Sequence, residues 1–223
     1  MSELSKERTL TERLRTLFFG SIGHIVILLQ STPFIWAGLM TFPLIGVLIV
    51  LFGGGLTPDI SAWILSLFAS PTVSTIIFDL GLILWIYSVF FLYWKKRGGL
   101  VTSGIYKYVR HPQYLGVILF TSTLTASSWW ILAHTRGISY ISKEETILVW
   151  FVMVLGYVGL AFAEEYYLVK ERGDEYYSYQ NQTALIVPFA KTKHRVLDTV
   201  VVLIFSGVLL LVQVMTLTPS VFI

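Results

Sequence analysis

Gly104-Ile105-Tyr106-Lys107-Tyr108-Val109-Arg110-His111-Pro112-Gln113-Tyr114 sets two cations, a histidine, a proline and three tyrosines between two long apolar segments. Those segments, 76–94 and 114–133, each approach the length needed to cross about 30 Å of hydrocarbon. The polar stretch between them therefore belongs at a membrane face. Further along, Glu164-Glu165 interrupts the end of another apolar run. Ionisable groups at membrane depth are costly and mark functional sites by default. The reading of this chain turns on whether the two polar elements meet.

Composition sets the class. Of 223 residues, 55% are hydrophobic and 13% charged, with a mean hydropathy of +0.74. A soluble domain holds about 25% charged residues, so composition excludes a large soluble core and implies a multi-pass membrane protein of one domain. No cysteine is present, which removes disulfides, thiolate nucleophiles and zinc–sulfur sites. His24 and His134 have no second ligand at metal spacing, and no metal is expected. The segment behind Arg13 and Arg15 resembles a signal peptide but lacks a small-x-small cleavage site, and reads as an uncleaved start of the membrane region.

The cations report topology. Lys6, Arg8, Arg13 and Arg15 precede the first apolar run; Lys95, Lys96, Arg97, Lys107 and Arg110 lie in the central loop; Lys170, Arg172, Lys191, Lys193 and Arg195 follow Glu164-Glu165. All but Arg136 and Lys143 of the 16 lysines and arginines fall in these three segments. None forms an amphipathic face long enough to follow a nucleic-acid backbone. Placing all three on the cytoplasmic side puts the N-terminus inside and requires an odd number of crossings before residue 76. The expected fold is all-α: a polytopic membrane helix bundle of about five transmembrane helices, near 34–52, 76–94, 114–133, 146–163 and 196–217, or seven if the first region crosses three times. In that topology Arg110-His111-Pro112 opens one span and Glu164-Glu165 closes the next on the same face. Ser142-Lys143-Glu144-Glu145 has the form of a capping box where the return helix begins.

Each polar element has two readings. Pro112 suits the first turn of a helix and keeps His111 out of helical geometry. The N–H groups of Gln113, Tyr114 and Leu115 would then offer an anion site beside Arg110. Alternatively, Arg110 and Lys107 anchor the span to lipid phosphates, with Tyr106, Tyr108 and Tyr114 as an aromatic belt. Glu164 and Glu165 have no basic residue three or four positions away, so they need a cation from elsewhere: Arg110, or a cationic ligand. The run Gly98-Gly99-Leu100-Val101-Thr102-Ser103-Gly104 permits tight turns, but it is neither a Walker loop nor a dinucleotide fingerprint. Residues 173–179 read as a wet helix or turn past the membrane, and Gly156 and Gly159 as helix contacts.

Taken in order, Gly104-x-Tyr106, Arg110-His111-Pro112-x-Tyr114-x-Gly116, Glu164-Glu165-x-x-Leu168, Gly173-x-x-Tyr176-x-x-Tyr179 and Val187-Pro188 resemble the isoprenylcysteine carboxyl methyltransferase and phospholipid methyltransferase superfamily of integral membrane enzymes. The resemblance covers about residues 95–189. It implies a methyltransferase core over 76–195, an N-terminal membrane region over 1–75 and an additional C-terminal helix over 196–223. It implies a cytoplasmic-side pocket for S-adenosylmethionine and a lipophilic or lipid methyl acceptor drawn from the membrane. By position, the cofactor-binding residues are Gly99, Leu100, Val101, Tyr106, His111, Pro112, Gln113, Tyr114 and Glu164. Arg110, His111 and Glu165 are the expected catalytic residues.

Two departures narrow the expectation. Prenylcysteine-type enzymes carry an arginine where Leu160 stands, so a carboxylate acceptor loses its counter-ion and an amine lipid, a thiol or another small lipophilic acceptor remains. Arg172 stands where the family has a phenylalanine. Rival classes are an NADPH-dependent membrane reductase of related bundle fold and a non-enzymatic scaffold or transporter. The last should show internal repeats or mid-membrane polar sites, and neither pattern is present in the sequence.

Overall fold

A computed structural model describes residues 44–45, 73–95, 99–134, 142–192 and 194–216. The crossings expected before residue 76, and their number, lie outside the described residues. Among the described residues five complete helices follow in order: α1 (Val73–Lys95), α2 (Pro112–His134), α3 (Lys143–Arg172), α4 (Asp174–Gln182) and α5 (Arg195–Thr216), with a 3-10 turn at Gly104–Lys107. Among the described residues there is no strand beyond one isolated bridge between Val109 and Ala184. The fold is all-α, as expected.

Among the described residues, α1, α3 and α5 are long and apolar enough to cross a membrane. Their outward faces expose Ile83 and Phe90 on α1, Leu148 and Val152 on α3, and Ile204 and Leu211 on α5. Large apolar side chains turned outward along whole helices are what a bilayer stabilises. At 30 residues, α3 is about 45 Å long, more than the roughly 30 Å of hydrocarbon.

Helix α2 coincides with the apolar run 114–133 read from the sequence as a span; its 23 residues make it about 35 Å long. Its hydroxyl-bearing residues Thr121, Ser122, Thr123, Thr125, Ser127 and Ser128 are all buried. The helix is enclosed, packing against α1, α3 and α5. A helix surrounded by protein is served by small residues that let backbones approach. Their hydroxyls bond back to their own helix, as Thr121 Oγ1 donates to the Val117 carbonyl (2.6 Å) and Thr125 Oγ1 to that of Thr121 (2.9 Å). Others tie helices together: Gln213 of α5 donates to Ser122 Oγ (2.5 Å) and accepts from Thr123 Oγ1 (2.6 Å), and Trp150 of α3 donates to Thr121 Oγ1 (3.0 Å).

The closest approach is between α1 and α2 at Gly81 and Gly116. A Cβ on Gly81 would lie 2.5 Å from Phe120 N, and one on Gly116 would lie 2.6 Å from Trp85 N. Gly159, expected to be a helix contact, instead faces open space with nothing within 4 Å. The capping box is present at the start of α3: Glu145 N donates to Ser142 Oγ (3.1 Å) and Ser142 N to Glu145 Oε2 (2.7 Å). At the other end Gly173 adopts φ +53°, left-handed geometry that glycine accepts readily. The chain turns there directly into α4, which returns over the loop that carries Arg110.

Candidate active site

The site forms where α2 begins, α3 ends and α4 folds back. Its first component is an extended segment, 108–111, clamped by backbone bonds to 184–185: Arg110 N donates to the Ala184 carbonyl (2.8 Å), His111 N to that of Leu185 (3.0 Å), and Ala184 N to that of Tyr108 (3.2 Å). Pro112 starts α2, as its fixed φ favours. The open helix terminus expected at Tyr114 and Leu115 is absent. The N–H of Tyr114 (3.1 Å) and that of Leu115 (3.3 Å) both donate to the His111 carbonyl, which closes the first turn and satisfies them internally.

The two polar elements meet. Arg110 Nε donates to Glu165 Oε1 (2.5 Å), and Gln180 Nε2 of α4 donates to Glu165 Oε2 (3.0 Å). Arg110 also donates through Nη1 to the carbonyls of Gln180 (2.9 Å) and Thr183 (2.6 Å), while its Nη2 lies 3.9 Å from Asp198 of α5. Its guanidinium is therefore engaged on every side. Glu164 points the other way. Its Oε1 accepts from the Tyr114 hydroxyl (2.6 Å), and its Oε2 lies 3.2 Å from His111 Nδ1. His111 Nε2 lies 3.6 Å from Glu165 Oε1, so the imidazole sits between the two acids, stacked on the Tyr114 ring at 5.4 Å. Of the two sequence readings, the ion pair holds for Glu165, whereas Glu164 lines a cavity.

Burial alone would depress the His111 pKa, but the Glu164 and Glu165 carboxylates on either side outweigh it and hold the imidazole above its ordinary value. Burial, reinforced by the nearby acids, pushes the Tyr106 and Tyr176 phenols well up. Both stay neutral at physiological pH and remain hydrogen-bond donors. Tyr106 joins three elements: its hydroxyl lies 3.1 Å from the Ser88 carbonyl of α1 and 3.2 Å from Gln113 Oε1 of α2, and its carbonyl accepts from the Tyr179 hydroxyl of α4 (2.6 Å).

These groups wall a cavity of about 280 Å³, near the lower end of the usual small-molecule range of about 300–1,000 Å³. Of the residues picked out from the sequence, Gly99, Leu100, Val101, Tyr106, Arg110, His111, Gln113 and Glu164 line it. Pro112, Tyr114 and Glu165 stand behind the wall. The sequence reading placed Tyr176 and Tyr179 in the family pattern but not in the site, which they line because their i, i+3 spacing on α4 turns both toward it, and it left out of the site Glu171 and Arg172 at the end of α3. Arg172 pairs loosely with Glu171 (3.6 Å) and Glu175 (3.8 Å). Among the described residues the Tyr176 hydroxyl is buried without a hydrogen-bond partner, on the cavity wall. No group of three potential ligands able to hold a metal occurs among them.

The polar cavity thus lies within an all-helical bundle that includes three helices able to cross a membrane. The sequence model of the phospholipid methyltransferase family matches residues 59–175, just over half of the chain. The chain belongs to this family of membrane methyltransferases. No curated protein and no solved structure matches it. The matched region contains Arg110, His111, Glu164 and Glu165, while Tyr176, Tyr179 and Asp198 follow it.

Proposed function

We propose that this protein transfers a methyl group from S-adenosylmethionine to a lipophilic acceptor, an amine lipid or a thiol, that arrives from the bilayer. The observation that carries the reading is the division of labour between adjacent acids: Glu165 is neutralised by Arg110, while Glu164 faces the cavity. The donor set fits the cofactor. S-adenosylmethionine has an ammonium and a sulfonium, a carboxylate and a flat base. The wall offers the Glu164 carboxylate, the Arg172 guanidinium, the free Tyr176 hydroxyl and the rings of Tyr106 and Tyr179. When bound, the cofactor supplies a methyl group made electrophilic by the sulfonium.

The residues of the chain hold and orient. Glu164 binds the ammonium and is itself fixed by Tyr114. Gly99, Leu100 and Val101 contribute backbone and apolar contact to the base. Arg172 meets the carboxylate, a task that Arg110, bound on every side, leaves to it. Arg110 and Glu165 act as positioning residues: their pair fixes the start of α2 against the end of α3. A proton released by an amine or thiol acceptor passes to His111 in its neutral form, on the cavity wall, and the resulting imidazolium is stabilised by Glu164 Oε2, 3.2 Å from Nδ1. The rest of the catalysis is positioning. Leu160 in place of an arginine argues against a carboxylate acceptor. The clusters of lysine and arginine support a cytoplasmic cavity and N-terminus.

The test is transfer of radiolabel from the methyl group of S-adenosylmethionine into the lipid extract of a membrane preparation containing the protein. Label in the lipid fraction that disappears in Glu164→Gln is expected. The absence of transfer, together with thermal stabilisation by NADPH and none by S-adenosylhomocysteine, would favour a reductase instead.

A further inference from the structure

A second cavity, of about 740 Å³, lies on the opposite side of α3 from the candidate active site. It shares no lining residue with the first: α3 turns Glu164, Leu168 and Arg172 to the one, and Tyr166 and Lys170 to the other. The Arg110–Glu165 pair and Gln180, which donates to Glu165 and lines the second cavity, form the partition between them. The charge of this second cavity is unbalanced. Lys170 and Arg195 line it, and neither makes an ion pair among the described residues. The acid on its wall, Asp198, is buried and has Arg110 at 3.9 Å. Gln180 and Asn181 add neutral donors.

Its depth is marked by its neighbours. The Arg195 guanidinium lies 5.5 Å from the Phe162 ring centroid of α3. Immediately after Arg195, Val196, Leu197 and Val200 open the exposed apolar face of α5. In a membrane protein that face meets acyl chains, so Arg195 stands at the headgroup level, where cations and phosphates pair. Two cations with no ion pair among the described residues, against one buried acid that already faces Arg110, at that level and beside a lipid-facing surface, match one ligand chemistry.

We infer that this cavity binds a phosphate group, that of a bilayer phospholipid, with Lys170 and Arg195 as its counter-ions and the acyl chains running along α5. The inference is independent of the methyl donor and of the candidate active site.

The test uses the full chain in a neutral maltoside detergent, with unfolding temperature followed against added dihexanoyl-phosphatidylglycerol or inorganic phosphate. Saturable stabilisation by the lipid is expected, with about fivefold more lipid needed in Lys170→Gln or Arg195→Gln and no change in Lys143→Gln, which removes a lysine at the opposite end of α3 from Lys170. Equal stabilisation by inorganic phosphate, lost in the same two variants, would keep the site and assign it to a soluble phosphate. No saturable shift with either probe, or a shift that the two variants leave intact, or one that Lys143→Gln weakens equally, would overturn it. A cooperative unfolding transition in each variant, at the wild-type temperature without added ligand, verifies that they are folded.

Discussion

Arg110 Nε and Glu165 Oε1 lie 2.5 Å apart across 55 residues of sequence, with both side chains almost wholly buried. The pair joins the opening of α2 to the close of α3. Breaking a buried pair leaves one charge uncompensated and costs about 3–5 kcal/mol. Arg110→Ala and Glu165→Ala should each lower stability by that amount in detergent. The double variant Arg110→Leu with Glu165→Leu should lose much less than the sum. Denaturant or thermal unfolding of the four proteins checks this, and additive losses would contradict it.

The Gly81–Gly116 contact leaves no space for a side chain. A Cβ at either position falls 2.5–2.9 Å from backbone atoms of the facing helix. Gly116→Val should therefore separate α1 from α2 and destabilise by about 1–3 kcal/mol or more. Gly159→Ala, where the space is open, should be neutral or stabilising. Comparing their unfolding temperatures tests the difference in sign.

His111 gives a pH dependence with a definite sign. Its folded pKa is raised by Glu164 and Glu165 above an unfolded value of about 6.5. Its contribution to stability is fully present below pH 6.5 and is lost as pH rises through the folded value. Between pH 6.5 and 9 the wild-type protein should lose more stability than His111→Gln, which lacks the group. Parallel curves would remove the imidazolium from the account.

The Tyr176 hydroxyl separates binding from folding. It is buried and without a partner among the described residues, so Tyr176→Phe should leave the unfolding temperature unchanged or slightly raised. If the hydroxyl serves the cofactor, the same variant should bind S-adenosylhomocysteine about two- to tenfold more weakly. Unchanged affinity would place the cofactor elsewhere on the wall.

Much of this was legible in the sequence because charge at membrane depth must find a partner. That demand, with the topology read from the lysines and arginines, set Arg110-His111 and Glu164-Glu165 at one face, and Pro112 and the Ser142 capping box marked the helix starts on either side. What stayed hidden depends on tertiary placement. Tyr176 and Tyr179 read as wet because nothing local states that Gly173, at φ +53°, folds α4 back over the loop. Asp198 reaches Arg110 only because α5 packs beside α2 and α3. The hydroxyl-rich run of α2 reads as part of an ordinary span until its enclosure by three helices is seen. Gly81 and Gly159 look alike in sequence, yet one touches a neighbouring backbone and the other touches nothing.

The central claim is that Glu164, and not its neighbour, meets the methyl donor. Calorimetric titration of S-adenosylhomocysteine into wild-type and Glu164→Gln protein in the same detergent tests it most directly. Saturable binding to the wild type, weakened about 10–100-fold in the variant with little change in unfolding temperature, is the predicted result. Equal affinity in the two proteins, or no binding to the wild type, would contradict it.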